Sequence, residues 1–206
     1  MFIGWLGQSC IKIQSRDVIL ITDPINKQSG LKPPRLSNVN IVTFSSSEDD
    51  FNKLKTEALI IDGPGEYEVK QIFIQGIPVS QNQEKETITV YWMEIEDITV
   101  GHLGTLATSP TDEQLEKLEG LDILFVPVGG HRVLDAKKAS QVISQIEPRI
   151  VIPMYYHIPN LREKLDSVDP FCKEMGIKSS EKVDRLRIQK KDLPQDEMKI
   201  IVLQNQ

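Results

Sequence analysis

The chain has 206 residues, of which 39% are hydrophobic and 26% charged, a balance typical of a globular protein with a substantial core. Its formal net charge is -6, and its 24 lysines and arginines are scattered along the chain. These values argue against disorder and against nucleic acid as a partner. The mildly basic stretch Arg185–Lys191 alternates with apolar residues and is predicted to be a half-exposed strand.

Signals for export or membrane insertion are not found in the sequence. The first ten residues lack a charged leader, and no apolar run approaches the roughly 18 residues that a membrane span requires. Cys10 and Cys172 lie among apolar neighbours, which favours a reducing compartment over a disulfide framework. We therefore expect a cytoplasmic protein without a membrane anchor.

Short strands dominate the first hundred residues. β-Branched and aromatic residues cluster in short runs that are separated by Gly, Pro, Asn and Asp, a pattern typical of strands joined by turns. The segment Gly63–Tyr67 is predicted to be a structural turn. Strands are predicted at residues 2–6, 11–14, 18–22, 39–43, 58–61, 71–77, 87–95 and 98–102.

The periodicity changes after Gly104. Serine, proline, threonine and two acids open a predicted helix at 109–119, and Asp135 is predicted to cap a second helix with one apolar stripe. Apolar runs at 123–127 and 150–154 flank the second helix, which predicts a parallel crossover between buried strands. The remaining predictions are a helix at 170–175 capped by Asp169, and strands at 183–188 and 198–203.

Six local strings, taken in order, resemble the small metallo-β-lactamase-fold proteins that are described as metal-dependent or zinc-dependent hydrolases. The resemblance covers residues 1 to about 160 and implies an α/β (α+β) fold, a four-layer αββα sandwich with a shallow site where the sheets meet. We expect one such domain over residues 1–206. The strings are WLGQSC at 5–10, ILITDP at 19–24, GPGEYEV at 63–69, GHLG at 101–104, VPVGG at 126–130 and IVIPM at 150–154.

The resemblance implies a His-x-His-x-Asp-His loop directly after the strand that ends at Thr43. Here that loop begins with Phe44 and Ser46, and only Glu48 and Asp49 supply strong oxygen donors. Zinc in a hydrolytic site is held by imidazole and carboxylate ligands with one open position for water. Two adjacent carboxylates without imidazoles predict a weak zinc site.

At four further positions, this chain also lacks the metal ligand or site residue that the resemblance implies. Gln81 stands for a histidine, Thr105 for a bridging aspartate, Tyr155 for a histidine, and Gln8 for the histidine of a Gly-His-Ser pattern. The substitutions agree with one another, so we expect no metal cofactor, although the family would use zinc. These eight degenerate positions define the predicted pocket.

Three other residues, Asp23, His102 and His157, are candidate neighbours of this pocket. The resemblance places Asp23 beside the site, where it supports the site or only organises the turn into Pro24. His102 is interpreted as a packed, hydrogen-bonded strand residue, His157 as a residue near enough to face the pocket, and His131 as exposed or capping. A rebuilt mononuclear site from Glu48, Asp49, His102 and His157 stays an alternative.

Metal-free catalysis is a further alternative, with Cys10 or one of Ser45, Ser46 and Ser47 as nucleophile. A small buried thiol and a polar loop that caps a short helix at 49–54 are the simpler interpretations.

These observations favour a non-catalytic hydrolase relative that has lost its metal site and binds a small molecule or a protein. The alternative is a metal-dependent hydrolase of the superfamily with a rearranged metal site. A structural subunit of a homo-oligomer is a third hypothesis. Ligand, substrate, pathway and oligomeric state stay open at this point.

Overall fold

The structure is a computed structural model that describes residues 1–46, 54–81, 86–177 and 182–206. These residues form two β-sheets, three short α-helices and two 3₁₀ helices. The 3₁₀ helices are at Lys27–Ser29 and Lys190–Asp192. The α-helices are α1 (Asp112–Glu116), α2 (Ala136–Ile146) and α3 (Asp169–Glu174). The strands are β1 (Phe2–Gly7), β2 (Cys10–Ser15), β3 (Val18–Thr22), β4 (Ile41–Thr43), β5 (Leu59–Ile61), β6 (Gly65–Val69), β7 (Ile72–Gln81), β8 (Glu86–Ile95), β9 (Ile98–His102), β10 (Ile123–Pro127), β11 (Ile150–Met154), β12 (Leu186–Arg187) and β13 (Lys199–Ile200).

The two sheets share one apolar core. The first sheet has the strand order β12-β1-β2-β3-β4-β5 and the second the order β13-β11-β10-β9-β8-β7-β6. Side chains alternate along each strand, so Ile11 and Leu20 of the first sheet join the cluster that contains Ile74 and Val90 of the second. The predicted α/β class and the two-sheet sandwich of the metallo-β-lactamase type are confirmed.

The opposite face of the first sheet carries a smaller apolar cluster. Cys10, Ile21 and Val42 alternate with the residues of the main core and pack with Ile25 and Phe44. In the described part of the chain, strand residues Leu6, Ile19 and Ile60 and residues of the segments between β3 and β4 and before β5 complete this cluster. A second, smaller core therefore lies directly under the loops that follow β3 and β4.

Parallel pairing occurs where the sequence predicts it. Strand β11 pairs in parallel with β10, and β10 with β9, while α2 connects β10 to β11. Asp135 caps α2 by accepting a hydrogen bond from the backbone N–H of Lys138 at 2.8 Å. The predicted stripe of α2, from Ala139 to Ile146, is buried, which confirms both the helix and its apolar face.

Several predicted boundaries differ from the structure, among them the first helix, which spans Asp112–Glu116 and not 109–119. The predicted turn at 63–67 instead leads into β6, which pairs with β7 at the edge of the second sheet. Helix α3 begins at Asp169, so this residue is the first helical residue and not the cap. The predicted strands at 183–188 and 198–203 shrink to two residues each, and the predicted helix at 49–54 lies almost wholly outside the described residues.

Among the described residues no helix is both long and apolar enough to cross a membrane. The longest helix, α2, has 11 residues, and its lysines and glutamines face away from the core.

Candidate functional site

A polar pocket lies where the carboxyl ends of several parallel strands meet. Open α/β sheets bind ligands in the crevice outside the carboxyl ends of their strands, and β3, β4 and β11 all end here. The cavity has a volume of about 310 Å³. We call it the strand-end pocket, and its lining residues are Gln8, Ser9, Asp23, Pro24, Ile25, Asn26, Gln28, Ser46, Thr105, Arg132, Tyr155 and Glu163.

One wall of the pocket is a hydrogen-bonded group of three side chains. The amide Nε2 of Gln8 donates to Oε2 of Glu163 at 2.8 Å, and the hydroxyl of Tyr155 donates to the same oxygen at 3.0 Å. Gln8 Nε2 also lies 3.5 Å from the Tyr155 hydroxyl. Two residues that replace expected ligands therefore hold a carboxylate that comes from the loop after β11.

A second part of the pocket wall is fixed by Asp23, which follows β3. Its Oδ1 accepts from the backbone N–H of Ser45 at 2.6 Å, and its Oδ2 accepts from the Ser45 hydroxyl at 2.7 Å. Gly104 has a φ of +55°, and a Cβ at this position would collide with the Ser45 side chain. Asp23 thus holds the loop after β4, and glycine is required where the loop after β9 crosses it.

Backbone conformation also marks the pocket. Gln8, Asp23 and Tyr155 all line it and have φ values of 47°, 38° and 53°. Left-handed backbone is uncommon for residues other than glycine, and such residues cluster at functional sites. Three residues with left-handed backbone therefore lie at this pocket, and nine other such residues lie elsewhere in the described part of the chain.

Gln81 at the end of β7 lies beside the pocket and not among the residues that line it. Its Oε1 accepts from the backbone N–H of Ala107, and its Nε2 donates to the carbonyl of Thr105 at 3.4 Å. The buried amide therefore joins β7 to the loop after β9. Among the predicted site residues, Gln81 has a structural contact while Thr105 reaches the pocket.

The loop after β4 is described only at its start. The Phe44 side chain is buried in the smaller apolar cluster and does not line the pocket, while its carbonyl accepts from the Tyr91 hydroxyl at 2.6 Å. Ser46 lines the pocket. Ser47, Glu48 and Asp49 lie outside the described residues.

His102 is fully buried behind the pocket. Its Nε2 lies 2.9 Å from the carbonyl oxygen of Ser9, and its ring packs 6.1 Å from that of Phe125. Burial lowers the pKa of His102, against the opposing influence of Asp23 and the Ser9 carbonyl. The neutral ring with Nε2–H as donor fits this environment and agrees with the interpretation of a packed strand residue.

The other two histidines face solvent. His157 is exposed and does not line the pocket, and only its backbone N–H is engaged, with the Asp166 carbonyl at 2.8 Å. His131 Nε2 lies 3.8 Å from an Asp166 carboxylate oxygen, with both side chains partly exposed. The structure therefore does not bring His102 and His157 together at the pocket.

Cys10 and Ser45 are two of the candidate nucleophiles for metal-free catalysis. Cys10 is fully buried, and burial raises the pKa of its thiol above the usual range. The Ser45 hydroxyl donates to a carboxylate and has no histidine among its described partners. In the part of the chain that the structure describes, no hydrogen bond joins either side chain to a histidine, the base that this alternative assigns.

Two charged residues of the pocket are missing from the sequence-based set. Arg132 comes from the loop between β10 and α2, and Glu163 from the segment between β11 and α3. Burial raises the pKa of Tyr155, Glu163 and Asp23 raise it further, and Arg132 lowers it. No string near Glu163 resembles a family motif, so no sequence signal pointed to this residue.

The chain was compared with known proteins. Residues 2–155 match the family described as the beta-lactamase superfamily domain. A UPF0173 metal-dependent hydrolase of Pyrococcus horikoshii is 23% identical over 190 residues, covering 75% of this chain and 84% of the relative. A UPF0173 protein of Pyrococcus abyssi is 25% identical over 185 residues, covering 76% and 83%.

Solved structures agree in fold. A protein of Thermotoga maritima, assigned to the Zn-dependent hydrolases of the metallo-beta-lactamase superfamily, has a TM-score of 0.81 and 29% identity, covering 98% of this chain and 97% of that one. A metallo hydrolase of Ignicoccus hospitalis has a TM-score of 0.64 and 17% identity, covering 85% and 90%. With most of its length matched, the chain belongs to the beta-lactamase superfamily domain family and is a metal-dependent-hydrolase-like protein with the metallo-β-lactamase fold.

Proposed function

We propose that this protein is a non-catalytic member of the superfamily that binds a small polar molecule in the strand-end pocket. The observation that carries the proposal is the engagement of Gln8 and Tyr155, which stand where ligands are expected, with the Glu163 carboxylate. Side chains that bind one another in this way form a polar wall for a ligand. The left-handed backbone of Gln8 and Tyr155, which both belong to this wall, supports a functional role for it.

The donor chemistry of the described residues does not fit the family's metal pair. A hydrolytic zinc is held by three converging histidine, carboxylate or thiolate ligands beside an open position. In residues 1–46, 54–81, 86–177 and 182–206 no group of three or more His, Cys, Asp or Glu side chains is placed to hold a metal ion. The pocket instead offers amides, hydroxyls, an arginine and two carboxylates, of which Asp23 already accepts two hydrogen bonds.

A metal-dependent hydrolase with a rearranged site is the second candidate. It is favoured by the relatives, two of which are described as a metal-dependent or a Zn-dependent hydrolase. Glu48 and Asp49 follow Ser46, which borders the pocket, so these two carboxylates are the donors that such a site would recruit. On this alternative, metal-dependent turnover of a phosphodiester, ester or lactone is expected.

Metal analysis separates the two candidates. Protein purified without chelator, and the same protein after dialysis against zinc or manganese, is measured by plasma mass spectrometry. The ligand-binding proposal predicts far less than one metal ion per chain, whereas about one or two tightly bound ions per chain would contradict it. A matched variant with Glu48→Gln and Asp49→Asn shows whether any bound metal depends on the loop carboxylates.

A further inference from the structure

We propose that the strand-end pocket selects ligands that carry a small organic cation, such as a primary ammonium group, and that Glu163 is the residue that binds it. This inference rests on the proposed ligand-binding function and adds the chemical class of the ligand. It assigns a binding role to a residue that reaches the pocket from the loop after β11.

The two oxygens of the Glu163 carboxylate differ in their hydrogen bonding. Oε2 accepts from Gln8 and from Tyr155, whereas Oε1 is shielded from solvent and has no donor among the described residues. An ionised carboxylate accepts about four hydrogen bonds, and a shielded acceptor without a donor is unfavourable. Glu163 borders the pocket and is only half-buried, so a rotation of its carboxylate group brings Oε1 to a donor-bearing ligand, which then supplies the missing partner.

The charge of the described lining favours a cation. Two carboxylates, Asp23 and Glu163, face one guanidinium, Arg132, and these are the charged groups that act on the Tyr155 hydroxyl. Both oxygens of Asp23 are bound by Ser45, so Glu163 is the carboxylate of the described lining that has an oxygen without a donor. A ligand cation placed at Glu163 balances the excess negative charge.

A small organic cation fits better than a metal ion. The Gln8 amide and the Tyr155 hydroxyl both donate hydrogen bonds to the Glu163 carboxylate, and neither donor group is a metal ligand in this arrangement. An ammonium group needs only one to three acceptors, whereas a divalent cation needs several converging oxygens. The volume of about 310 Å³ is at the small end of ligand pockets, which limits the ligand to a small molecule.

The inference is tested by ¹H–¹⁵N NMR with two probes of equal size, ethanolamine and ethylene glycol. Ethanolamine is expected to shift the backbone signals of Gln8, Tyr155 and Glu163 saturably, with a Kd of about 1 mM for so few atoms, and to bind about tenfold more tightly than ethylene glycol. Glu163→Gln keeps an oxygen for Gln8 and Tyr155 and is expected to remove this preference. The exposed Glu119→Gln is the matched control and is expected to preserve it.

The failure of this inference is distinguishable from failure of ligand binding itself. Equal shifts by both probes, or a preference that survives in Glu163→Gln, would show that the pocket binds small polar molecules without selecting a cation. Absence of shifts with ethanolamine would also contradict the inference. Tightly bound zinc or manganese in the metal analysis would instead contradict the proposed function. If Glu163→Gln does not give a dispersed spectrum, the comparison of ethanolamine with ethylene glycol in the unmodified protein still tests whether the pocket prefers a cation.

Discussion

The hydroxyl of Tyr155 donates to the Glu163 carboxylate across 3.0 Å, and it does so from a residue with a φ of 53°. The backbone N–H of Tyr155 also donates to the carbonyl of Gln8 at 3.0 Å. The end of β11 is therefore tied to both the first hairpin and the loop that supplies Glu163. A phenol at this position keeps its proton and holds a carboxylate, whereas the histidine expected from related proteins would present a lone pair to a metal.

Replacing Tyr155 by phenylalanine tests this tie. Tyr155→Phe removes one of the two donors to Glu163 Oε2, and the loss in the free energy of unfolding is expected to be about 1 kcal/mol because the carboxylate is partly exposed. Urea unfolding followed by circular dichroism measures the change. Tyr67→Phe is the control, since the Tyr67 hydroxyl makes only contacts of 3.4 to 3.5 Å and is expected to matter little. Equal effects of the two substitutions would contradict the prediction.

Asp23→Asn is expected to destabilise the protein by about 2 kcal/mol. The asparagine amide nitrogen cannot accept a hydrogen bond, so one of the two buried Ser45 donors loses its acceptor. Because Ser45 and Gly104 are in close contact, the loop after β9 is expected to shift as well. Thermal unfolding monitored together with the NMR signals of Ser46 and Thr105 measures both effects.

The control for this substitution is Asp17→Asn, which lies at an exposed hairpin turn. Its effect is expected to be within about 0.5 kcal/mol of zero. If Asp23→Asn were equally harmless, the Asp23–Ser45 pair would not be what fixes this wall of the pocket.

Much of the fold was predictable because the local signals agreed with the tertiary environment. Strands β3, β10 and β11 begin and end where the sequence places them, since each is a continuous apolar run bounded by turn residues. The segment before β6 misled the prediction. The run Gly63-Pro64-Gly65 has the composition of a turn. In the structure, however, Gly65 is the first residue of an edge strand whose residues alternate between partly buried and exposed.

The site was predictable only in part, for a physical reason. Gln8, Asp23, Ser46, Thr105 and Tyr155 line the pocket because they follow strand ends that any member of the fold brings together. Glu163 and Arg132 reach it through irregular loops, whose course depends on packing and not on periodicity. The alternative in which His157 faces the pocket also depended on loop geometry, and in the structure this side chain is exposed and does not line the pocket.

Three of the four tyrosines are expected to resist ionisation in the folded protein. Burial is the largest cause that raises the pKa of Tyr91, Tyr155 and Tyr156 above the value of about 10 for a free phenol. Folded protein therefore holds these protons more tightly, and its stability is predicted to fall as the pH rises above about 10. Absorbance at 295 nm against pH measures the ionisation, and release of all tyrosine protons near pH 10 without unfolding would contradict the prediction.

His102 is expected to stay neutral, with the proton on Nε2, across the pH range in which an exposed histidine titrates. Its pKa is lowered chiefly by burial, and Nε2–H donates to the Ser9 carbonyl at 2.9 Å. The unfolded chain takes up a proton near pH 6.5 and the folded chain does not, so the free energy of unfolding should decrease as the pH falls below about 6.5. Long-range ¹H–¹⁵N NMR identifies the tautomer, with exposed His131 and His157 as internal references. In His102→Gln this part of the pH dependence should disappear, and an imidazolium signal from His102 at pH 6 in folded protein would refute the assignment.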